Sequence, residues 1–332
     1  MLRLGVIGCG GIAAHQLRSV NADQAFDVVA GADIRPEQLE LFKKEFGMRD
    51  GYADYRVMLR EATLDCIMIC TPTYLHCEHV IGVAEAGKPI FCQKPMAMNS
   101  YDCYKMLKTC HERGVGLQIG FVRRFDPDWG TIKKVIDSGV LGTPVVWRQV
   151  AGGPGPTRPF FMDRFEGGGP MIDGMVHNYD FAAHIFGEPV EVKSMPTRIH
   201  HSTTALDTGT VCVRFASGSM IMCSWSWGMP AGTRSSSCND IIGPNGALFF
   251  PGGFDAKKLE GKLDPATESA YLLLLEGGKE EIVAFRRANM FRDEMLHFAD
   301  WVANRKTPLV QGDAGLRATR IAELALSGGG LC

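Results

Sequence analysis

Gly8-Cys9-Gly10-Gly11-Ile12-Ala13 constrains this chain more than any other feature. It fits the pattern G-x-G-x-x-A and lies between an apolar run at 2–7 and an amphipathic stretch at 12–20. A strand that turns at once into a helix needs a residue without a Cβ at the bend, and Gly8 supplies it. Gly10 lets the backbone approach a pyrophosphate, and Ala13 is small enough for helix and strand to pack closely. The helix N-terminus at Gly11 and Ile12 favours the anion. A glycine cluster alone is often only a turn. The strand before it and the helix after it are the context that a dinucleotide-binding turn demands.

The first 120 residues continue this alternation. Strand-like runs at 2–7, 28–32, 66–70, 89–92 and 115–119 are separated by helical patterns at 12–20, 36–46, 55–60, 75–86 and 101–113. Pro36 suits a first helical turn, and Gly87 and Gly114 suit helix ends. Such alternation makes βαβ units and a doubly wound parallel sheet covered on both faces. After residue 120 the pattern changes. A helical stretch at 129–136, a strand at 144–150, a Gly/Pro-rich loop at 152–159 and a helical region between 171 and 186 come first. Strand-like runs follow at 190–194, 210–215, 220–227, 248–250, 271–275 and 281–285, and helical stretches at 291–304 and 314–326 finish the chain. The expected fold class is α/β: an N-terminal Rossmann domain over 1–120, and over 121–332 an α+β domain with a large, mainly antiparallel sheet for substrate binding and oligomerisation. The terminal helix has the option of packing back on the first domain.

With 332 residues, 45% of them hydrophobic, the chain can bury the cores of two domains. A formal net charge of -2 leaves no basic footprint for nucleic acid or an anionic membrane. No apolar run is long enough to span a bilayer, and no signal-peptide pattern is visible. The 11 cysteines contain no CxxC pair, and several sit in apolar strand-like runs, which fits a reducing compartment and a cytoplasmic location.

Asp33 closes the second strand-like run, about 20 residues beyond the glycine turn, where an acid accepts hydrogen bonds from the adenosine ribose. It would repel a 2′-phosphate, so NAD is expected and NADP is the alternative. Arg35 complicates this choice: it could lie over the adenine, neutralise a 2′-phosphate or be a solvated surface charge. Two further segments follow strands whose carboxyl ends would form the binding crevice: Thr71-Pro72-Thr73-Tyr74-Leu75-His76, and Gln93-Lys94-Pro95.

Together with Gly167-Gly168-Gly169, Asp173 and His177, these motifs resemble the Gfo/Idh/MocA oxidoreductase family. Gly120-Phe121-Val122-Arg123-Arg124-Phe125-Asp126 is similar in particular to its inositol dehydrogenase branch. Five short motifs in the right order cover nearly the whole chain. The family tripeptide is Glu-Lys-Pro, and Gln93 replaces its glutamate; the resemblance implies that this position meets the ribose on the nicotinamide side. It also implies that Lys94, Asp173 and His177 are catalytic.

Oxidising a carbinol leaves a hydroxyl proton to remove, which needs a base within hydrogen-bond reach and is helped by a cationic donor. His177 is assigned as the base, Lys94 as electrostatic support and Asp173 as the group that holds substrate and influences His177; exchange of roles between Lys94 and His177 stays open. Asp173 and His177, four apart in an expected helix, would share a face. The three glycines before them would permit close approach to a ligand. Arg123, Trp147, Arg158, Arg124 and Asn178 are candidate substrate contacts, with ion pairing the alternative for Arg124 and core packing for Trp147.

Tyr101 and Lys105 have Y-x-x-x-K spacing without a supporting upstream serine. Cys70, His76, Cys77 and His79 lack metal-ligand spacing, so no metal is expected. His200 and His201 are expected at a surface strand end. The leading expectation is NAD(P)-dependent oxidation of a secondary hydroxyl on a cyclitol, sugar or sugar derivative by a homodimer or homotetramer. The alternatives are redox-neutral glycoside cleavage with tightly held NAD, and a non-catalytic dinucleotide-binding protein.

Overall fold

The computed structural model describes residues 1–200 and 203–332, so the expectation for His201 falls outside the described residues. The chain divides into two compact units, Met1–Val122 with Asn289–Thr319, and Arg123–Ala288 with Arg320–Cys332.

Unit 1 contains six strands, β1 (Leu2–Ile7), β2 (Phe26–Ala32), β3 (Asp50–Tyr52), β4 (Cys66–Ile69), β5 (Ile90–Cys92) and β6 (Leu117–Ile119). All pair in parallel, in the order β3-β2-β1-β4-β5-β6. The direction of winding reverses between β1 and β4. Ligands of open α/β sheets bind beyond the carboxyl ends of the strands at such a point. The crossovers are α1 (Gly11–Val20), α2 (Pro36–Phe46), α3 (Tyr55–Glu61), α4 (His76–Glu85) and α5 (Ser100–Arg113). Local chemistry sets their ends: Pro36 occupies the first turn of α2, Asn99 caps α5 by accepting from the Asp102 amide, and Gly114 ends α5 in the left-handed region.

Unit 2 opens with α6 (Pro127–Asp137) and contains α7 (Val176–Phe186) and nine strands. These are β7 (Val146–Gly152), β8 (Pro189–Thr197), β9 (Thr208–Phe215), β10 (Met220–Ser226), β11 (Cys238–Gly243), β12 (Gly246–Phe249), β13 (Glu268–Leu275), β14 (Glu280–Arg286) and β15 (Gly329–Leu331). The sheet order is β14-β13-β12-β11-β7-β10-β9-β8-β15. Among the described residues, only β7 and β10 pair in parallel in this sheet and every other pairing is antiparallel. Its core is aromatic, with the Trp129 and Phe181 ring centroids 4.9 Å apart and those of Phe250 and Tyr271 5.0 Å apart.

Two helices lie between β14 and β15 in the chain. α8 (Met290–Asn304) belongs to unit 1, and α9 (Gly312–Leu326) begins in unit 1 and ends in unit 2. Met295, Phe298 and Trp301 of α8 are buried in one core with Leu4, Val6, Met68, Phe91 and Leu17. Full burial of such a side chain contributes about 1.5–3 kcal/mol. Trp301 Nε1 donates to Gln118 Oε1 at 2.8 Å, and its ring occupies the space a Cβ on Gly116 would need.

Three strands carry no apolar periodicity in the sequence. β3 is three residues long and largely exposed. β15 is mostly glycine. In β11 two polar residues hide the strand, because both are used by β7: Asn239 Oδ1 accepts from Trp147 Nε1 at 2.7 Å, and Asp240 pairs with Arg148 at 2.6 Å.

In unit 2, Arg124 donates Nη2 and Nε to the Asp180 carboxylate at 2.6 and 2.9 Å, and the Asp180 side chain is 1% exposed. Removing one partner strands a buried charge. Asp180→Ala is therefore expected to lower stability by about 3–5 kcal/mol in urea denaturation, and a loss under about 1 kcal/mol would show that the pair is hydrated.

Candidate active site

The glycine turn is held from both sides. The Gly8 amide donates to Ala32 O at 2.8 Å, and the Cys70 amide donates to Ile7 O at 2.8 Å. Gly8 has φ +88°, and a Cβ on it would stand 2.8 Å from both Cys70 C and Thr71 N. Only glycine fits that bend. Gly10 caps α1 without a side-chain hydrogen bond, and the first turn of α1 has no acidic residue. Its N–H groups are thus open to an anion, while Ala13 is buried beneath them.

Asp33 faces this turn. Its Oδ2 accepts from the Cys9 amide at 3.1 Å, and its Oδ1 accepts from the Arg35 amide at 2.9 Å. Arg35 also donates Nε and Nη2 to the same carboxylate at 3.1 and 3.2 Å. The structure therefore makes Arg35 the ion-pair partner of Asp33, a role its sequence context did not suggest.

Thr73 is buried, and Pro72 leads into the single turn Thr73–Leu75 ahead of α4. His76, expected to contact the cofactor, is 1% exposed. One ring nitrogen lies 2.8 Å from Pro95 O and the other 2.9 Å from Thr71 O. Burial lowers its pKa against the pull of these backbone contacts and favours the neutral ring, which donates to one carbonyl at a time. His76 thus clamps the Thr71 segment to Pro95, next to Lys94, rather than presenting its ring to a ligand. Gln93 and Lys94 leave the carboxyl end of β5, with Gln93 buried and Lys94 partly exposed.

Gln93 also leads to a feature that motif reading missed. Gln93 Nε2 donates to Gln16 Oε1 at 2.7 Å, and Gln16 Nε2 donates to Glu294 Oε2 at 2.9 Å. The available signal was a polar residue on the apolar face of an amphipathic helix, Gln16 among Ala13, Leu17 and Val20, and Glu294 beside Met295, Phe298 and Trp301.

In unit 2, a single α-helix carrying Asp173 and His177 was expected. The structure corrects this: Asp173 lies in a π-helical turn, Pro170–Gly174, and His177 in the first turn of α7. The Met175 amide donates to Pro170 O at 2.7 Å, the long-step bond that widens the turn. Asp173 is buried and His177 partly exposed. Two of the three glycines before them, Gly167 and Gly169, approach the protein's own backbone, and Gly168 packs against the Ile172 side chain. A Cβ on Gly167 would stand 2.5 Å from Phe160 O, and one on Gly169 would stand 2.9 Å from Leu206 O.

The other candidates separate clearly. Trp147, expected as a substrate contact or core residue, is fully buried among aromatic rings with its Nε1 satisfied by Asn239, so the core role holds. The Arg123 guanidinium lies 4.1 Å from the Trp129 ring centre and donates to Asn178 Oδ1 at 2.7 Å. Burial pushes its pKa down to about 10. Asn178 donates in turn to Cys223 Sγ at 3.3 Å. Arg124 is committed to Asp180. Arg158 is exposed.

Residues 2–121 match the family model described as oxidoreductase family, NAD-binding Rossmann fold, and residues 129–249 match the GFO/IDH/MocA C-terminal domain. The chain belongs to the Gfo/Idh/MocA oxidoreductase family. An uncharacterised oxidoreductase of Bacillus subtilis is 27% identical over 336 residues, covering 97% of this chain and 92% of that protein. The myo-inositol 2-dehydrogenase of Thermotoga maritima is 30% identical over 224 residues, 66% of each chain. The crystal structure of a probable dehydrogenase from Thermotoga maritima superposes with a TM-score of 0.78 at 25% identity, covering 99% of this chain and 98% of that one. As a member of this family, the chain is an NAD-binding oxidoreductase. The uncapped helix N-terminus at Gly10, the turn closed to any Cβ at Gly8 and the carboxylate of Asp33 fit a dinucleotide.

Two predictions follow from unit 1. Asp33→Ser removes the charge that repels a 2′-phosphate and releases Arg35. The ratio of NADP to NAD affinity, measured by titration of the reduced cofactors, is expected to rise by about tenfold or more, ~1.4 kcal/mol. An unchanged ratio would mean that Asp33 does not select the cofactor.

The second concerns Glu294, whose carboxyl pKa is held well above its ordinary value by burial, with only the Gln16 hydrogen bond pulling it down. In the unfolded chain it ionises near about 4.3. Its contribution to stability is therefore complete below that pH and is lost as pH rises toward the folded pKa. Glu294→Gln has no proton to lose, so its Tm is expected to gain on that of the wild type between about pH 5 and 8. A gap that stays flat across this range would show that Glu294 is not held neutral.

Proposed function

We propose that this oxidoreductase oxidises a secondary hydroxyl of a cyclitol, sugar or sugar derivative, with Lys94, Asp173 and His177 carrying the proton chemistry. The observation that carries the reading is the position of Lys94. It leaves the carboxyl end of β5 in a dinucleotide-binding sheet, from a segment pinned by His76. The likeness to a myo-inositol 2-dehydrogenase supports the substrate class.

NAD, held at the Gly8–Ala13 turn and beside Asp33, would supply the hydride acceptor. His177 takes the hydroxyl proton as general base. Lys94 donates a hydrogen bond to the same oxygen and stabilises alkoxide charge as it develops. Asp173 accepts from a substrate hydroxyl and favours the imidazolium of His177 once the proton has moved. Arg158, exposed on its loop, remains the outlying candidate for a substrate contact. We place the enzyme in the cytoplasm as a homodimer or homotetramer. In support, most of its cysteines are buried and all are free, and among the described residues no helix is long and apolar enough to cross a membrane.

The test is NADH formation, followed by absorbance, against a panel of inositols, aldoses and glycosides. Lys94→Ala and His177→Ala are each expected to lower kcat by about 10²–10⁴ while NADH still binds. Turnover that survives both substitutions would refute the assignment. Absence of turnover on the whole panel by wild-type enzyme that binds NAD would replace the proposal with redox-neutral glycoside cleavage or a non-catalytic dinucleotide-binding role.

A further inference from the structure

The chemistry above uses Lys94 but not the polar side chains buried behind it. Gln16 and Glu294 are 0% exposed and Gln93 6%. They form one line of hydrogen bonds, Gln93 to Gln16 to Glu294, that joins three elements far apart in sequence. One is α1, which starts at the glycine turn. Another is the exit of β5, where Lys94 follows Gln93. The third is α8.

The line has a direction. Each buried amide has a donor end and an acceptor end, and each end must meet its complement. Because Glu294 Oε2 accepts, Gln16 turns its amino group toward α8 and its carbonyl toward Gln93. Gln93 must then present its amino group to Gln16. Its Oε1 is left on the side of Gly120, where it would lie 3.2 Å from a Cβ. The line therefore runs in one direction, from the Gln93 amino group through Gln16 to Glu294 Oε2. Stability alone does not call for this arrangement, because replacing both partners of a buried hydrogen bond by apolar groups of the same shape can be nearly neutral.

We propose that Glu294 and Gln16 are positioning residues for Lys94: their relay holds the Gln93 side chain, and with it the backbone carrying Lys94, in register with the helix that begins at the phosphate turn. The proposal rests on Lys94 as a catalytic group and adds what holds it in place. It requires Glu294 to accept from Gln16, which either a carboxyl or an amide can do.

The test uses the full chain and two readouts that need no substrate. One is the rate at which an amine-acetylating reagent modifies Lys94, read by peptide mass spectrometry against Lys108, whose side chain is 75% exposed. The other is NADH affinity by fluorescence titration. Gln16→Met keeps the length and helix propensity of the side chain but breaks both links. It is expected to change the Lys94 to Lys108 rate ratio by roughly threefold. NADH binding is expected to weaken by about fivefold. Glu294→Leu is expected to do the same and Glu294→Gln to stay within about twofold of wild type. If Glu294→Leu does not fold, Gln16→Met decides. A folded Gln16→Met protein with wild-type Lys94 reactivity and NADH affinity overturns the relay. Altered readouts without turnover on any polyol would leave the relay standing and remove the proposed function; turnover with unaltered readouts would do the reverse.

Discussion

Much of the dinucleotide site depends on the absence of one atom, the Cβ of residue 8. β1 is bonded to β2 on one side and β4 on the other, in parallel register, with Ile7 opposite Ala32 and Ile69. At the end of β1 the chain must leave the sheet while its neighbours still hold it, and φ +88° at Gly8 makes that exit. The same bend runs so close to Cys70 and Thr71 that a Cβ would stand 2.8 Å from their backbone, so the segment after β4 and the glycine turn are placed together. Thr71 O then meets one nitrogen of His76, and the other nitrogen meets Pro95 O. A steric constraint at the start of the chain is thus passed by backbone and one buried ring to the residue beside Lys94.

The Glu294, Gln16 and Gln93 line reaches the same segment by a second route, through side chains. The two routes differ in kind. The first fixes peptide carbonyls and depends on shape. The second fixes an amide orientation and depends on polarity, in a region so buried that an unmatched donor or acceptor would cost about 1–3 kcal/mol. Both begin near α1, so the helix that offers its N-terminus to an anion is also the reference for the lysine. A replacement of the usual family glutamate at position 93 is tolerable in this setting, because the amide has a complementary partner waiting in Gln16.

Elements with clean apolar periodicity were legible from the sequence, as with β1, α2 and β10, because period and burial coincide in them. β11 was not, since Asn239 and Asp240 spend their polarity on Trp147 and Arg148 instead of water, and no local pattern distinguishes that from a loop. The π turn at Asp173 was equally hidden. The run from Met171 to Phe186 reads as one helix, and the wider turn follows glycines of which Gly167 and Gly169 pack against backbone from residues 160–161 and 206. Candidate site residues such as Lys94, Asp173 and His177 were legible as candidates because each sits in a short motif that one sequence displays. Residues that act through others, such as Gln16 and Glu294, belong to no short motif and became visible only when tertiary contacts were known. His76 lay between these cases: its motif was legible, but its two carbonyl partners were not.

The pairing of Asp33 with Arg35 bears on how a charged site can serve a neutral sugar. The carboxylate already receives the Cys9 amide, the Arg35 amide and the guanidinium, which together occupy most of its lone-pair directions. The two backbone donors are part of the fold and stay. The guanidinium is different: the Arg35 side chain is 44% exposed, and exposed ion pairs are worth only about 0–1 kcal/mol. Ribose hydroxyls can displace it at small cost, whereas a 2′-phosphate would need the carboxylate itself to leave or be neutralised. Arg35 therefore weakens the preference for NAD only if Asp33 moves, and Asp33 is 6% exposed and held by two amides. In the proposed reading the anchored acid, and not the exposed base beside it, is the group that selects the cofactor.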